Sequence, residues 1–102
     1  MSMVVVLVEY EIVAATKADF MSIVRAHARR TKTEEPGCIR FDILEPLDET
    51  GKKSTDRVLL FELFRDQDAL EKHRGSPNLP GYFADIKPLI RSRRPTYADV
   101  EE

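Results

Sequence analysis

Two histidines are the residues of this chain best suited to proton transfer near neutral pH. His27 recurs with Phe20 and Val24 at helical spacing, so it lies on the apolar stripe of a predicted helix. His73 ends a second predicted helix, where a positive charge interacts favourably with the helix C-terminus. Each is a satisfied structural residue or, alternatively, a proton-transfer group, because the ordinary pKa of imidazole suits neutral pH.

Signals for metal or cofactor chemistry are weak. The two histidines lie 46 positions apart, and no tight histidine–carboxylate spacing accompanies them, so the sequence predicts no metal site. No glycine-rich loop joins a strand to a helix, so the sequence predicts no site for a flavin, nicotinamide or nucleotide. We therefore expect no cofactor. The single cysteine, Cys38, excludes an intrachain disulfide and is interpreted as a small packing group.

Glu62 occupies the middle of a predicted strand over residues 57–65. A carboxylate in the middle of a strand is costly unless it is paired or hydrated, and Arg40 on a neighbouring predicted strand is a candidate partner. The pair is a structural ion pair or, alternatively, part of a site in which Asp42 and Glu11 orient a polar substrate. The predicted mixed face of the sheet comprises Leu7, Glu9, Glu11, Arg40, Asp42, Leu60, Glu62 and Phe64.

The elements that position these residues follow from hydrophobic periodicity and from turn signals. Alternating or β-branched runs predict strands over residues 4–13, 38–44, 57–65 and 97–100. A capping-box pattern at Thr16 opens a helix that ends at Pro36-Gly37, and Asp66 caps a short helix over residues 67–74. A further helical segment, which contains Phe83, begins at Ser76-Pro77 and is limited by Pro88.

This order predicts an α+β, ferredoxin-like β-α-β-β-α-β domain over residues 1–102, with a four-stranded antiparallel sheet and helices on one face. Either the helices cover a predicted apolar face, or they cover the mixed face and a second copy of the chain covers the apolar one. The predicted apolar face comprises Val6, Val8, Tyr10, Ile12, Ile39, Phe41, Ile43, Leu59, Phe61 and Leu63.

Three segments resemble the antibiotic biosynthesis monooxygenase family. They are EPGCIRFD at residues 35–42, FELFRDQDAL at residues 61–70, and His73 with the following Ser76-Pro77. The resemblance implies a homodimer of facing sheets, a dimeric α+β barrel, with a pocket between each sheet and its helices. It also implies activities such as cofactor-independent oxygenation of quinols and polyphenols.

The resemblance further implies roles for residues in that pocket. His27 or His73 would act as the base, with His73 capping the mouth, and Arg40 would stabilise developing negative charge. The substrate, a small molecule, would contact Glu11, Asp42, Leu60, Glu62, Phe64 and Phe83. Two alternatives stay open: an isomerase or related enzyme for a small polar or phosphorylated metabolite, and a dimer that binds a small molecule without catalysis.

Composition excludes other classes of partner. The formal net charge is −2, from 16 basic and 18 acidic residues, which gives no reason to expect nucleic acid or an anionic membrane. The longest apolar run is far shorter than the roughly 20 residues of a transmembrane helix. A cytoplasmic location is therefore expected.

Overall fold

Residues 2–101 are described in a computed structural model of the chain. They form four strands and three α-helices: β1 Val4–Ile12, α1 Lys17–Glu34, β2 Cys38–Leu44, β3 Arg57–Phe64, α2 Gln67–Arg74, α3 Leu79–Ile86 and β4 Ile90–Asp99. A 3₁₀ turn at Lys87–Leu89 joins α3 to β4. The order confirms the predicted ferredoxin-like arrangement, with the second helical segment divided into α2 and α3.

The four strands form one antiparallel sheet in the order β2-β3-β1-β4. The β4 strand, Ile90–Asp99, is longer than predicted. Only its last three residues lie in the predicted segment 97–100. Its first half carries several arginines and Pro95, which are typical of an edge strand but weaken the strand pattern.

The register decides which side chains share a face, and it corrects the predicted faces. Val6 pairs with Glu62 and Val8 with Leu60, so the apolar residues of β1 lie beside Glu62 and not beside Phe61. The predicted apolar and mixed faces were therefore wrong for β3. We call the side covered by the helices the helix face; its strand residues include Val4, Val6, Val8, Tyr10, Ile12, Cys38, Phe41, Ile43, Val58, Leu60, Glu62, Phe64 and Arg93.

The opposite side of the sheet, which we call the open face, is covered by no helix. Its apolar residues are half-buried or exposed, and they are joined by charged residues at the strand ends. The open face comprises Val5, Leu7, Glu9, Glu11, Arg40, Asp42, Leu44, Arg57, Leu59, Phe61 and Leu63, with Ser92, Arg94, Thr96 and Ala98 of β4.

One predicted helix start is wrong, and one helix that starts where predicted lacks its predicted side-chain cap. Helix α1 begins after Thr16, but the Thr16 hydroxyl donates to the carbonyls of Val13 and Leu89 and makes no capping bond. Helix α3 begins at Leu79, because Ser76-Pro77 forms a turn that precedes it. The Asp66 cap of α2 is confirmed, since its carboxylate accepts a 2.9 Å hydrogen bond from the Ala69 amide.

Candidate functional site

A cluster of buried polar side chains lies between the helix face and the helices. His27 on α1, Glu62 on β3 and His73 on α2 are 4%, 5% and 7% exposed. Helical spacing from Phe20 and Val24 turns His27 inward, as the sequence predicted, and the β1–β3 register turns Glu62 to the same side. Three elements that are distant in sequence thus place titratable groups in one apolar interior.

His73 stands between two carboxyl groups. Its Nδ1 lies 2.8 Å from Glu35 Oε1 and its Nε2 lies 3.4 Å from Glu62 Oε1. Contact with the Glu35 carboxylate favours the tautomer in which Nδ1 carries the proton and donates it. The two carboxyl groups contact opposite nitrogens of one ring, so their oxygens do not converge on a point where a metal ion could bind.

Burial controls the protonation of Glu62. It is the main cause of the rise in the pKa of this carboxyl to about 8; the positive charge of Arg93 opposes the rise, and the negative charge of Glu35 adds to it. Glu62 is therefore mainly protonated at neutral pH and becomes a carboxylate as the pH passes 8. A carboxyl group with such a pKa is suited to accept a proton from a weak acid.

His27 is a neutral imidazole in an aromatic environment. Its ring stacks on Tyr82 with the centroids 3.8 Å apart and 11° between the planes, and it meets Phe41 edge-on at 5.6 Å. Burial, followed by the charges of His73 and nearby arginines, lowers its pKa to about 4. Within residues 2–101 its buried Nδ1 has no hydrogen-bond partner, which is costly unless a ligand supplies one.

A chain of polar groups leads from this ring to the surface. The hydroxyl oxygens of Tyr82 and Tyr10 lie 3.0 Å apart, and Arg93 Nε donates to the Tyr10 hydroxyl over 3.4 Å. The Arg93 guanidinium also lies 4.8 Å from the centre of the Phe83 ring, which is 37% exposed. Phe83 therefore forms part of the rim of the cluster, while Tyr82 reaches its centre.

Sequence reasoning missed Tyr10, Tyr82 and Arg93 as members of the site. Tyr82 and Phe83 are adjacent on a short helix, and the helical phase that points Tyr82 inward was not readable beside Pro80 and Gly81. Arg93 belongs to the half of β4 that the sequence pattern did not identify. Alternation along β1 did show that Tyr10 lies on the same side as Val6 and Val8, which was the available signal.

The predicted site residues divide between the two faces. Leu60, Glu62 and Phe64 are buried on the helix face with both histidines. Three others were wrongly placed in that pocket and lie on the open face: Glu11, Arg40 and Asp42.

Arg40 does not contact Glu62. It forms a 2.7 Å salt bridge with Asp42, on the opposite side of the sheet from His27. The physical reason is the register between β2 and β3, which alternation within each strand does not fix: Phe41 pairs with Glu62, and Arg40 pairs with Leu63. Arg40 therefore cannot stabilise charge in the helix-face interior, and Arg93 is the cation that lies nearest to the cluster's hydroxyl groups.

Cys38 remains a packing residue in the structure. Burial and the negative charges of Glu62 and Glu35 raise the pKa of its thiol to about 12. The thiol is therefore protonated at neutral pH and unsuited to act as a nucleophile.

Comparison with known proteins identifies the family. The model of the antibiotic biosynthesis monooxygenase family matches residues 3–84, and the chain belongs to this family. No helix in the described part of the chain is long and apolar enough to cross a membrane.

Individual relatives agree with this assignment. Rv0793 of Mycobacterium tuberculosis, which carries a provisional name as a monooxygenase, is 36% identical over 56 residues; the match spans 55% of this chain and half of that relative's length. Its solved structure superposes with a TM-score of 0.80 at 28% identity, over 99% of this chain and 98% of that one. SnoaB, a cofactor-independent oxygenase from Streptomyces nogalater, shares the fold, with a TM-score of 0.81 at 16% identity over 100% and 96% of the chains.

Proposed function

We propose that this protein is a cofactor-independent monooxygenase that acts on a small quinol or polyphenol between the sheet and the helices. Membership of the monooxygenase family supports an oxidoreductase role. The observation that carries the finer proposal is the buried pair of an unpartnered His27 Nδ1 and a Glu62 carboxyl whose pKa lies near 8. Together they offer a hydrogen-bonding anchor and a base in a dry, aromatic interior.

The proposed chemistry requires no electron donor other than the substrate. Glu62, as a carboxylate, removes a phenolic proton; the electron-rich anion then forms a C–O bond to O₂, and the terminal peroxide oxygen takes the proton back from Glu62. Loss of water from this hydroperoxide breaks its O–O bond and the C–H bond of the same carbon and leaves a quinone carbonyl. One oxygen atom of O₂ enters the product and the other leaves as water, and the substrate supplies all four electrons, as when a quinol becomes a hydroxyquinone.

Burial makes Glu62 a stronger base than an exposed carboxylate. An exposed carboxylate is a poor base for a phenol with an ordinary pKa near 10. Burial raises the pKa of Glu62 to about 8, which brings it closer to that ordinary value.

Each remaining polar group of the cluster has a positioning role in this proposal. His73, held by Glu35 through Nδ1, fixes the carboxyl group of Glu62 from the other side. His27 is neutral at working pH, so its Nδ1 can hydrogen-bond a substrate oxygen without adding charge. Exclusion of water protects the substrate anion until O₂ reacts with it.

Oxygen uptake by the purified protein tests the proposal. A panel of hydroquinones and polyphenols is incubated in air-saturated buffer, with Glu62→Gln as the base variant and exposed Glu49→Gln as the matched control. Loss of the base should slow uptake by about 10²–10⁴-fold, and the control should keep the wild-type rate. The wild-type rate should rise with pH around 8 as Glu62 ionises. Uptake no faster than without protein across the panel, or a full rate in Glu62→Gln, would refute the proposal.

We also propose that the protein is a homodimer that pairs through the open face. Leu7, Phe61 and Leu63 are only half-buried there, and a second copy would supply an identical surface across a two-fold axis. Sedimentation at low micromolar concentration should give twice the 11.7 kDa mass of the chain. Phe61→Asp should give a folded monomer. Thr33→Asp, at an exposed position of α1, is the control and should leave the protein dimeric.

A further inference from the structure

Tyr82 places a phenol ring at the centre of the polar cluster. One face of this ring stacks on His27, at a centroid distance of 3.8 Å, and its hydroxyl meets the Tyr10 hydroxyl at 3.0 Å. Tyr10 is in turn hydrogen-bonded by Arg93. An aromatic platform under the ring and a polar contact at its hydroxyl are the two features that a phenol site requires.

We propose that Tyr82 is an intramolecular plug that occupies the binding site of a phenolic substrate ring. The inference rests on the proposed function, since it gives the same interior a substrate class: a ring of about the size of a tyrosine side chain, with a hydroxyl directed at Tyr10. Such a ring would exchange places with Tyr82, stack on His27 and lie within the electrostatic influence of Glu62. That influence is already felt by Tyr82, whose pKa is raised chiefly by burial and also by Tyr10 and Glu62. The oxygen that hydrogen-bonds His27 Nδ1 would then belong to another part of the substrate, since that bond lies in the imidazole plane.

Helix α3 is built so that the plug can leave. It has eight residues; Tyr82 and Ile86 are buried and Leu79 is half-buried against the core, so three side chains hold the helix there. It lies between the Gly75 end of α2 and the 3₁₀ turn at Lys87–Leu89. The position of a Cβ on Gly81 meets no atom within 4 Å, so the helix is not clamped beside Tyr82.

The plug has a consequence for affinity. A ligand must displace Tyr82, so its apparent dissociation constant is its intrinsic one divided by the fraction of molecules in which the plug has left. Quinols should therefore bind the wild-type protein more weakly than they bind a variant without the ring. The polar contacts to Tyr10 should also make the emptied site prefer a phenol to an apolar ring of the same shape.

Calorimetric binding of hydroquinone to Tyr82→Ala, compared with wild type, tests the plug. Removal of the ring should tighten binding by about tenfold or more, and hydroquinone should bind the variant at least about tenfold more tightly than p-xylene does. Asp85→Ala, at an exposed position of the same helix, is the control and should leave hydroquinone affinity within about twofold of wild type. Equal hydroquinone affinity in Tyr82→Ala and wild type, or equal binding of p-xylene and hydroquinone, would overturn the inference.

Hydrogen exchange keeps the inference testable if Tyr82→Ala does not fold. In the wild-type protein, saturating hydroquinone should speed amide exchange within α3 while β1 and β3 become more protected. Unchanged or increased protection of α3 would show that Tyr82 stays in place and would overturn the plug. Tighter hydroquinone binding by Tyr82→Ala without oxygen uptake would count against the oxygenase function alone and would leave the phenol site standing.

Discussion

Glu62 should give the fold an unusual dependence of stability on pH. Its pKa is about 8 in the folded state against an ordinary 4.5, so between these values the folded chain binds one proton more than the unfolded chain. The free energy of unfolding therefore falls as the pH rises through this window. His27 acts in the opposite sense, because its folded pKa of about 4 lies below its ordinary 6.5 and its contribution is lost as the pH falls.

The two effects cancel over part of the range and separate above it. Between pH 4.5 and 6.5 the folded chain binds one extra proton on Glu62, and the unfolded chain binds one extra proton on His27. These two groups therefore change the free energy of unfolding little over this range. From pH 6.5 to 8 the term from Glu62 remains alone, at about 1.4 kcal/mol per pH unit, which lowers stability by about 2 kcal/mol. In Glu62→Gln this loss should disappear, and stability should instead rise by about 3 kcal/mol between pH 4.5 and 6.5 through His27.

Urea unfolding followed by circular dichroism, at one fixed protein concentration and at half-unit pH steps, measures these slopes. Glu49→Gln, an exposed substitution of the same kind, should follow the wild-type curve. The reasoning is refuted if the wild-type protein loses no stability between pH 6.5 and 8, or if Glu62→Gln loses as much.

Predictions for Gly37, Asp66 and Cys38 follow from local geometry. Gly37→Ala should destabilise the fold by about 1–3 kcal/mol, because the new Cβ would overlap that of Ala69, whereas Gly81→Ala, with open space in a helix, should stabilise it by up to about 1 kcal/mol. Asp66→Ala should lower the urea midpoint by an amount equivalent to about 1 kcal/mol through loss of the α2 cap, and Asp66→Asn should retain most of that stability. Cys38 should resist a thiol reagent at pH 8 in the folded protein and react once urea unfolds it; reaction at equal rates in both states would contradict its burial.

Periodicity was sufficient to predict most elements of this fold. The α2 bounds and the Asp66 cap were predicted as observed, because a capping residue and a short helical run carry local information. The β4 strand was largely missed because its edge position allows arginines and a proline that an inner strand would exclude. Local sequence therefore predicted elements best where the stabilising contacts were themselves local.

The assembly of the site was harder to predict than its members. Strand alternation gives two faces for every strand but does not say which face joins which, and a shift of one residue exchanges them. This is why Arg40 was expected beside Glu62, although the β2–β3 register places Phe41 there. His27, His73 and Glu62 were predicted as candidates because polar groups on apolar faces are visible locally, while the Tyr10–Tyr82 contact joins residues 72 positions apart and left no local pattern.

The strand order has a consequence for how the chain reaches its folded state. β1 is the first strand along the chain but lies inside the sheet, and its two neighbours begin only at Arg57 and Ile90. Until both have paired, the uncharged run from Val4 to Val8 keeps an unpaired backbone edge in a segment of high β-propensity, which is a template for aggregation. Pairing over such sequence distances is slow compared with helix formation. Refolding yield after dilution from urea should therefore fall as the protein concentration rises. The rate constant for folding of a single chain should not depend on that concentration, and only the later association of two chains should.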